Sequence, residues 1–357
     1  SLGLVGSEMC IRDSACAGGV GVTVSWTTRA MDLRAESCAS WTAGSSKCWV
    51  LTQPIVWKSR AMSFVLDCDP GIDDAFALIY MQRTGQLDAV TTTGGNVGTA
   101  QTATNARWLL DALGGPTVPV APGEPAPIAR ELITTPETHG EYGLGYVHPT
   151  PGTLHPGPWE DLWGSKLIVT GPLTNLARFR ERCPERYAAI EELTIMGGAI
   201  DYPGNTTDHA EWNIWVDPEA AEDVFGHLPP HARVTLCPLN VTEGFRIDPA
   251  RLTPIAEALG GEVGAALPEI MRFYWEFHES HGIGYTAQIH DLLTCLIACD
   301  AVDYAVEEVA LTVDAGADRG AVTQVAHPEA GRLPVRVLTG VDYEEAHRVF
   351  FDSIAPR

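Results

Sequence analysis

A short apolar strand that runs without a break into a cluster of acids is the feature that most limits how this chain can fold. Ser63–Leu66 reads as a buried strand and Ala75–Tyr80 as part of an apolar helix. Between them lies Asp67-Cys68-Asp69-Pro70-Gly71-Ile72-Asp73-Asp74. Four carboxylates within eight residues at the mouth of a buried strand repel one another strongly unless a cation sits among them. Pro70 and Gly71 make a tight turn that folds Asp69 back toward Asp73 and Asp74, which open the helix where its dipole favours negative charge. Helix capping alone explains one or two of these acids, not four.

The same strand–loop–helix order repeats along the chain. Ala89–Thr93 is a strand that runs into Gly94-Gly95-Asn96, and Thr99–Leu113 follows with helical spacing. Lys166–Thr170, Glu192–Met196 and Arg233–Cys237 read as further strands, and Leu173–Arg182 as a helix after a Gly171-Pro172 turn. Asp217-Pro218 caps and opens a helix through Phe225. This alternation implies an α/β fold, an open and mainly parallel sheet with helices on both faces. Ligands of such sheets sit beyond the carboxyl ends of the strands. No linker divides 62–357, which reads as a single domain. Residues 1–61 differ from it: they hold 6 basic and 4 acidic side chains, so the net charge of -23 lies entirely in the later part. Ser1–Ser14 (SLGLVGSEMCIRDS) resembles translated adapter sequence, and residues 1–61 show no strand or helix period longer than a few residues. Residues 1–61 therefore read as foreign or as a disordered extension, with Met62 as the start.

The acidity repels phosphate backbones and anionic lipid, which argues against nucleic acid and membranes as partners. No run of eighteen apolar residues suggests a membrane span. Cys68, Cys183, Cys237, Cys295 and Cys299 are scattered, with no CxxC pair, so they are expected to pack rather than bridge, in a reducing, cytoplasmic compartment.

Other polar groups fall near the ends of these strands. Met196-Gly197-Gly198-Ala199 closes one strand, and Asn205, Glu211 and Asn213 follow, a set of donors and acceptors suited to sugar hydroxyls. His290-Asp291 sits between two apolar stretches, where both side chains need partners. Two motif rivals fit the acid cluster less well. An EF-hand starting at Asp67 needs Gly at its sixth position and Glu at its twelfth, where the chain has Ile72 and Leu78. A Mg2+-dependent phosphotransferase of the DxD type would use Asp67 as nucleophile, but Pro70 departs from its pattern. It would also need a basic residue facing the phosphate, and the sole lysine after Met62 is Lys166.

Taken together, DCDPGIDDA at 67–75, TGGN at 93–96, THGEYGLG at 138–145, TGPLTN at 170–175, MGGA at 196–199, AEWN at 210–213, DPEAA at 217–221 and HD at 290–291 resemble the inosine–uridine preferring nucleoside hydrolase family. The resemblance covers nearly all of 62–357 and implies that family's Rossmann-like fold. It implies a Ca2+ ion held by Asp69, Asp74, Asp291 and the backbone carbonyl of Thr170. It places Asp73, Asn96, Asn205, Glu211 and Asn213 on the ribose, His139 near the base, and His290 where the leaving base is protonated. The implied reaction is hydrolysis of the N-glycosidic bond of a ribonucleoside by a metal-bound water that Asp69 activates, with inversion at the anomeric carbon. An imidazole at its ordinary pKa near 6.5 suits His290 to that proton transfer. Trp212 stands where family members often have Phe. Base contacts are expected from mobile loops such as 139–148 and 274–286, and a homodimer or homotetramer from the resemblance alone. A catalytically silent Ca2+- or sugar-binding protein is the other class left open; it would need neither His290 nor a general base.

Overall fold

The computed structural model describes residues 63–325 and 331–355, together with the backbone of two strands near the N-terminus. The chain divides into two units, Ser1–Val56 and Trp57–Arg357. In the first, Ser7–Cys16 pairs antiparallel with Gly19–Thr28. The alternation Val20, Val22, Val24, Trp26 is the strand period that the sequence reading passed over. The remainder of the expected extension, 1–6, 17–18 and 29–61, lies outside the described residues.

The second unit is built on nine strands: β1 (Phe64–Cys68), β2 (Leu87–Thr92), β3 (Val120–Pro122), β4 (Lys166–Val169), β5 (Glu192–Met196), β6 (Arg233–Cys237), β7 (Tyr304–Val313), β8 (Val322–Val325) and β9 (Val335–Val341). Their order in the sheet is β8-β7-β9-β6-β5-β4-β1-β2-β3. All neighbours from β9 to β3 are parallel, and β7 runs antiparallel to both β9 and β8. The expected mainly parallel sheet is therefore present, with an antiparallel edge. Strands β1 to β3 build outward in one direction, then the chain returns to lay β4, β5 and β6 on the other side of β1. The order reverses between β1 and β4, and that switch point is where open α/β sheets form a ligand crevice.

Strand alternation sorts the core onto two faces. Phe64, Leu66 and Cys68 pack with helices α1 (Ile72–Thr84), α2 (Thr99–Leu113), α8 (His290–Ala298) and α9 (Tyr343–Ile354). Val65, with Leu167 and Val169 of β4, packs on the other face against α3 (Thr174–Arg182) and α5 (Pro218–Gly226). Helix α1 starts three residues before the expected apolar run, and Ile72–Gln82 are all buried, which accounts for its lack of a polar face. It stops at Gly85, whose φ of 70° is left-handed. Asp217 caps α5 as expected, accepting from the Ala220 N–H at 3.0 Å. Helices α4 (Trp212–Val216), α6 (Pro249–Leu259) and α7 (Gly261–Ser280) complete the elements used below.

The five described cysteines are free. Among the described residues no helix is long and apolar enough to cross a membrane. The C-terminal helix α9 closes the first face: Phe350 is fully buried, with its ring centroid 6.1 Å from that of Phe76 on α1. Truncating Phe350 to Ala leaves a cavity against the helix that opens the acid cluster. It should cost about 3–5 kcal/mol, read as a shifted midpoint in urea unfolding; a cost below about 1 kcal/mol would show that α9 does not brace α1.

Candidate active site

Beyond β1 the chain turns through Asp69, Pro70 and Gly71 into α1. Asp69 Oδ2 accepts from the Asn96 N–H at 2.8 Å, and the Asn96 amide donates back to the Asp69 carbonyl at 3.0 Å. The close approach requires Gly95, where a Cβ would lie 2.1 Å from Asp69 Oδ2. Asp74 is completely buried beneath this turn. It accepts from the Gly71 N–H at 2.9 Å and from the Thr170 hydroxyl, just past β4, at 3.1 Å. The Thr170 carbonyl in turn accepts from the Asn213 side-chain amide at 2.7 Å. The segments that follow the two strands at the switch point are thus joined through Asp74 and the Thr170 hydroxyl, and the Thr170 carbonyl ties them to α4.

Glu211 caps α4, and its carboxylate accepts from the backbone N–H groups of Asn213 at 2.8 Å, Ile214 at 3.1 Å and Gly198 at 3.0 Å. Three fixed donors hold the acid in one orientation while Asn213 projects from the first turn. Asn205 Oδ1 accepts from the Trp212 N–H at 2.9 Å, which ties the preceding loop to the same helix. His139 ends a short helical turn, Pro136–His139, and its Nδ1 accepts from the Ile72 N–H at 3.1 Å. That contact requires a lone pair on Nδ1, so the proton of the neutral ring is on Nε2. His290 opens α8, with Nδ1 2.9 Å from the Thr242 hydroxyl.

These groups surround one cavity of about 470 Å3, within the usual range for a small-molecule site. Asp69, Asp73, Asn96, His139 and Thr170 line it from the β1–β4 side. Asn205, Glu211, Asn213, His290 and Asp291 line it as well. Asp74 alone of the expected residues does not reach the cavity surface. Among the described residues no lysine or arginine lines the cavity. Asp73, Asp74 and Asp291 each offer a carboxylate oxygen within 4.8 Å of the other two. The tightest acid set therefore includes Asp73, which was expected on the ribose, with Asp69 beside it.

Burial makes this arrangement costly without a cation. It lifts Asp73 to about 7 and Asp74 to about 6, and raises Asp69 and Asp291 well above the usual carboxylate range, with neighbouring acids adding to the last two. Oxygen donors of this density, with no basic side chain among them, fit a hard divalent cation.

Three expectations need correction. Asp67 does not face the cavity with the other acids: its Oδ1 accepts from Thr91 at 2.6 Å and Asn175 at 2.8 Å, inside the sheet end. Burial lifts it to about 7. The segment 274–280 is not loop but the last turns of α7, because Ile270, Met271, Tyr274, Trp275 and His278 recur at helical spacing and bury one face. His290 does not keep its ordinary pKa, since burial lowers it to about 3, and His139 likewise. Both rings are neutral at pH 7. Sequence reasoning did not single out Thr242, whose hydroxyl meets His290 Nδ1; Tyr274, Phe277 and His278, inside the segment expected to contact the base, line the cavity from α7.

The model of the inosine-uridine preferring nucleoside hydrolases matches residues 64–348. The chain belongs to that family. It is 37% identical over 252 residues to the pyrimidine-specific ribonucleoside hydrolase RihA of Salmonella paratyphi A, covering 67% of this chain and 79% of that protein. The RihA of Salmonella arizonae is also 37% identical, over 256 residues. Two solved structures agree at a TM-score of 0.73: the plant nucleoside hydrolase PpNRh1, 27% identical over 83% of this chain and 100% of that one, and the purine-preferring ribonucleoside hydrolase from Gardnerella vaginalis, 26% identical over 82% and 98%. This nucleoside hydrolase is accordingly an enzyme with the Rossmann-like fold of its family, and its reaction is the hydrolysis of ribonucleosides.

The acid cluster sets a pH dependence. Above pH 6.5 the buried histidines are neutral in both folded and unfolded chains. The raised carboxylates still hold protons that the unfolded chain has released, so stability falls as pH rises through about 7. Below 6.5 the sign reverses for His139 and His290, whose folded pKa values lie near 3, and stability falls as the unfolded chain takes up protons. Chelator-treated nucleoside hydrolase should therefore melt at a lower temperature at pH 8 than at pH 6.5. Added Ca2+ should raise the melting temperature more at pH 8; an equal rise at both pH values would mean that these acids do not meet the cation.

Proposed function

We propose that residues 62–357 form the catalytic domain and cleave the N-glycosidic bond of ribonucleosides with one Ca2+ ion, releasing free base and ribose with inversion at the anomeric carbon. The observation that carries this reading is the set of buried acids from two distant segments, 69–74 and 291, gathered at or directly beneath one cavity with no lysine or arginine among its described lining residues. Asp69, Asp74, Asp291 and the Thr170 carbonyl would hold the ion, and their all-oxygen chemistry suits Ca2+. Bound there, it would supply a positive centre that grips vicinal hydroxyls and makes a water more acidic.

The protein's own groups do the rest. Asp69, at the cavity surface, takes the proton of the attacking water as general base. Water adds directly to the anomeric carbon, so no covalent sugar–enzyme bond forms, and the stereochemistry inverts. Asp73, Asn96, Asn205, Glu211 and Asn213 bind the ribose hydroxyls. Each such bond contributes roughly 1 kcal/mol net, and more where the partner is charged. The departing base takes the electron pair of the broken bond and one proton from solvent, relayed through His290 Nε2 with His139 beside it. The proton lost by the attacking water stays on Asp69 until it returns to solvent. A phosphoryl-transfer reading lacks support, because Asp67 does not line the cavity and Lys166 pairs with Glu192 at 2.6 Å.

Asp69→Asn should lose the bound Ca2+ in metal analysis after dialysis and lower kcat by about 10^3-fold, within the range for a lost general base. Asp73→Asn should keep the metal and raise KM about tenfold. If Asp73→Asn loses the ion and Asp69→Asn retains it, the ligands are instead Asp73, Asp74 and Asp291.

His290 is tested by leaving-group chemistry. His290→Ala should slow inosine and uridine by about 10^2- to 10^4-fold. A p-nitrophenyl riboside needs no proton on its leaving group and should react almost normally. Equal losses on both substrates would make His290 a positioning residue and remove its role toward the base.

A further inference from the structure

We infer that Thr242 is a positioning residue for the hydrolysis, fixing the His290 ring so that Nε2 is the nitrogen presented to the leaving base. The inference rests on the reading of His290 given above. His290 lines the cavity and is 6% exposed, and its Nδ1 lies 2.9 Å from Thr242 Oγ1. With Nδ1 engaged, Nε2 is the ring nitrogen left for a ligand. Thr242 itself is fully buried at the end of a helical turn, Leu239–Thr242, that follows β6.

The hydroxyl suits this task in either proton state of the ring. Thr242 Oγ1 also lies 3.1 Å from the Pro238 carbonyl. When Nδ1 carries a proton, the Thr242 oxygen accepts its hydrogen bond and the Thr242 O–H donates onward to the Pro238 carbonyl. When Nδ1 carries a lone pair, the hydroxyl can turn and donate to the ring, since one hydroxyl offers a donor and two acceptor sites. An ordinary back-bond to the carbonyl four residues earlier would explain a threonine here without His290. It does not explain why the same oxygen meets an imidazole 48 residues away at hydrogen-bond distance.

The turn is held from behind, as a positioning role requires. Tyr343, the first residue of α9, donates its hydroxyl to the Val241 carbonyl at 2.7 Å. Its ring also covers Gly244 so closely that a Cβ there would lie 2.3 Å from it. Thr242 is thus fixed between the sheet and the C-terminal helix. A side chain so anchored transmits orientation to the imidazole, much as outer hydrogen-bond partners orient a metal-bound histidine.

The test compares Thr242→Val, Thr242→Ala and Thr242→Ser with wild type and His290→Ala in the full chain, on uridine, inosine and p-nitrophenyl riboside. The valine keeps the shape and loses the hydroxyl. Alanine and serine both lack the γ-methyl and differ from each other in the hydroxyl alone, so they carry the test if the valine variant fails to fold. Thr242→Val and Thr242→Ala should lower kcat on the two nucleosides about 10- to 100-fold, the usual loss when an orienting partner is removed. The p-nitrophenyl riboside should fall less than about threefold, and Thr242→Ser should recover most of the nucleoside rate. In 15N spectra of labelled histidine, the His290 signals should move in the valine and alanine variants and stay near wild type in the serine variant. If His290→Ala is selective for nucleosides while Thr242→Val and Thr242→Ala slow both substrate types alike, or neither, the Thr242 assignment is wrong and the His290 role survives. If His290→Ala itself slows both alike, both assignments fall.

Discussion

Mutual repulsion among buried carboxylates is the constraint around which this molecule is arranged. Asp69, Asp73, Asp74 and Asp291 are all at most 6% exposed, and desolvation is the largest cause of the raised pKa in each. The fold lowers that cost by geometry. Asp73 and Asp74 occupy the first turn of α1, and Asp291 the first turn of α8, so two helix N-termini turn their partial positive charge toward the same place. Backbone N–H groups of Asn96 and Gly71 each donate to one of these acids. What remains uncompensated is the net charge, and a divalent cation is the group that answers it. The cluster is therefore a source of instability that ligand binding relieves, consistent with a site kept for function rather than for folding.

The location of the cluster was legible from the sequence because it depends on local patterns. Lys166–Thr170, Glu192–Met196, Arg233–Cys237 and Thr99–Leu113 lie within a residue of the observed elements, since each combines a clear period with Gly or Pro punctuation. The antiparallel edge was not legible. Strand β7 alternates irregularly between buried and exposed residues, and its partners β8 and β9 lie later in the chain, so nothing local specifies their pairing. Helix α7 was obscured by Pro268 and by the aromatic-rich segment Phe273–Phe277, whose residues favour strands in isolation. Burial of one helical face against α2 and α6 overrides that preference.

Within the site, residues with a chemical signature were found and residues without one were missed. The motifs brought ten of the eleven expected side chains to one cavity and the eleventh, Asp74, directly beneath it. Counting Asp67 with them failed because spacing does not reveal which acid has private partners; Thr91 and Asn175 take up one of its oxygens inside the sheet. Thr242 was invisible for the opposite reason. A buried threonine is common, and its meaning lies entirely in the ring it faces. The pKa of His290 was equally unreadable, because burial is a property of the assembled fold.

The two depressed histidines also explain how an acidic cavity can handle an uncharged base. An imidazolium there would attract the carboxylates and compete with the cation for them. Burial prevents this by lowering both His139 and His290 to about 3, so neither ring is a standing charge at neutral pH. His139 is held to its neutral form by a further device, the Ile72 N–H directed at its Nδ1. That N–H belongs to the first turn of α1, so one of the unpaired donors of this helix fixes His139 while the acids of the same turn belong to the buried cluster. The His139 ring also meets that of Tyr274 on α7 in a tilted contact, centroids 5.3 Å apart, which extends the connection to the α7 wall. Displacing α1 would move the acids and the base wall together. The spacing between the acid cluster and His139 is thereby set by one helix end rather than by two independent loops.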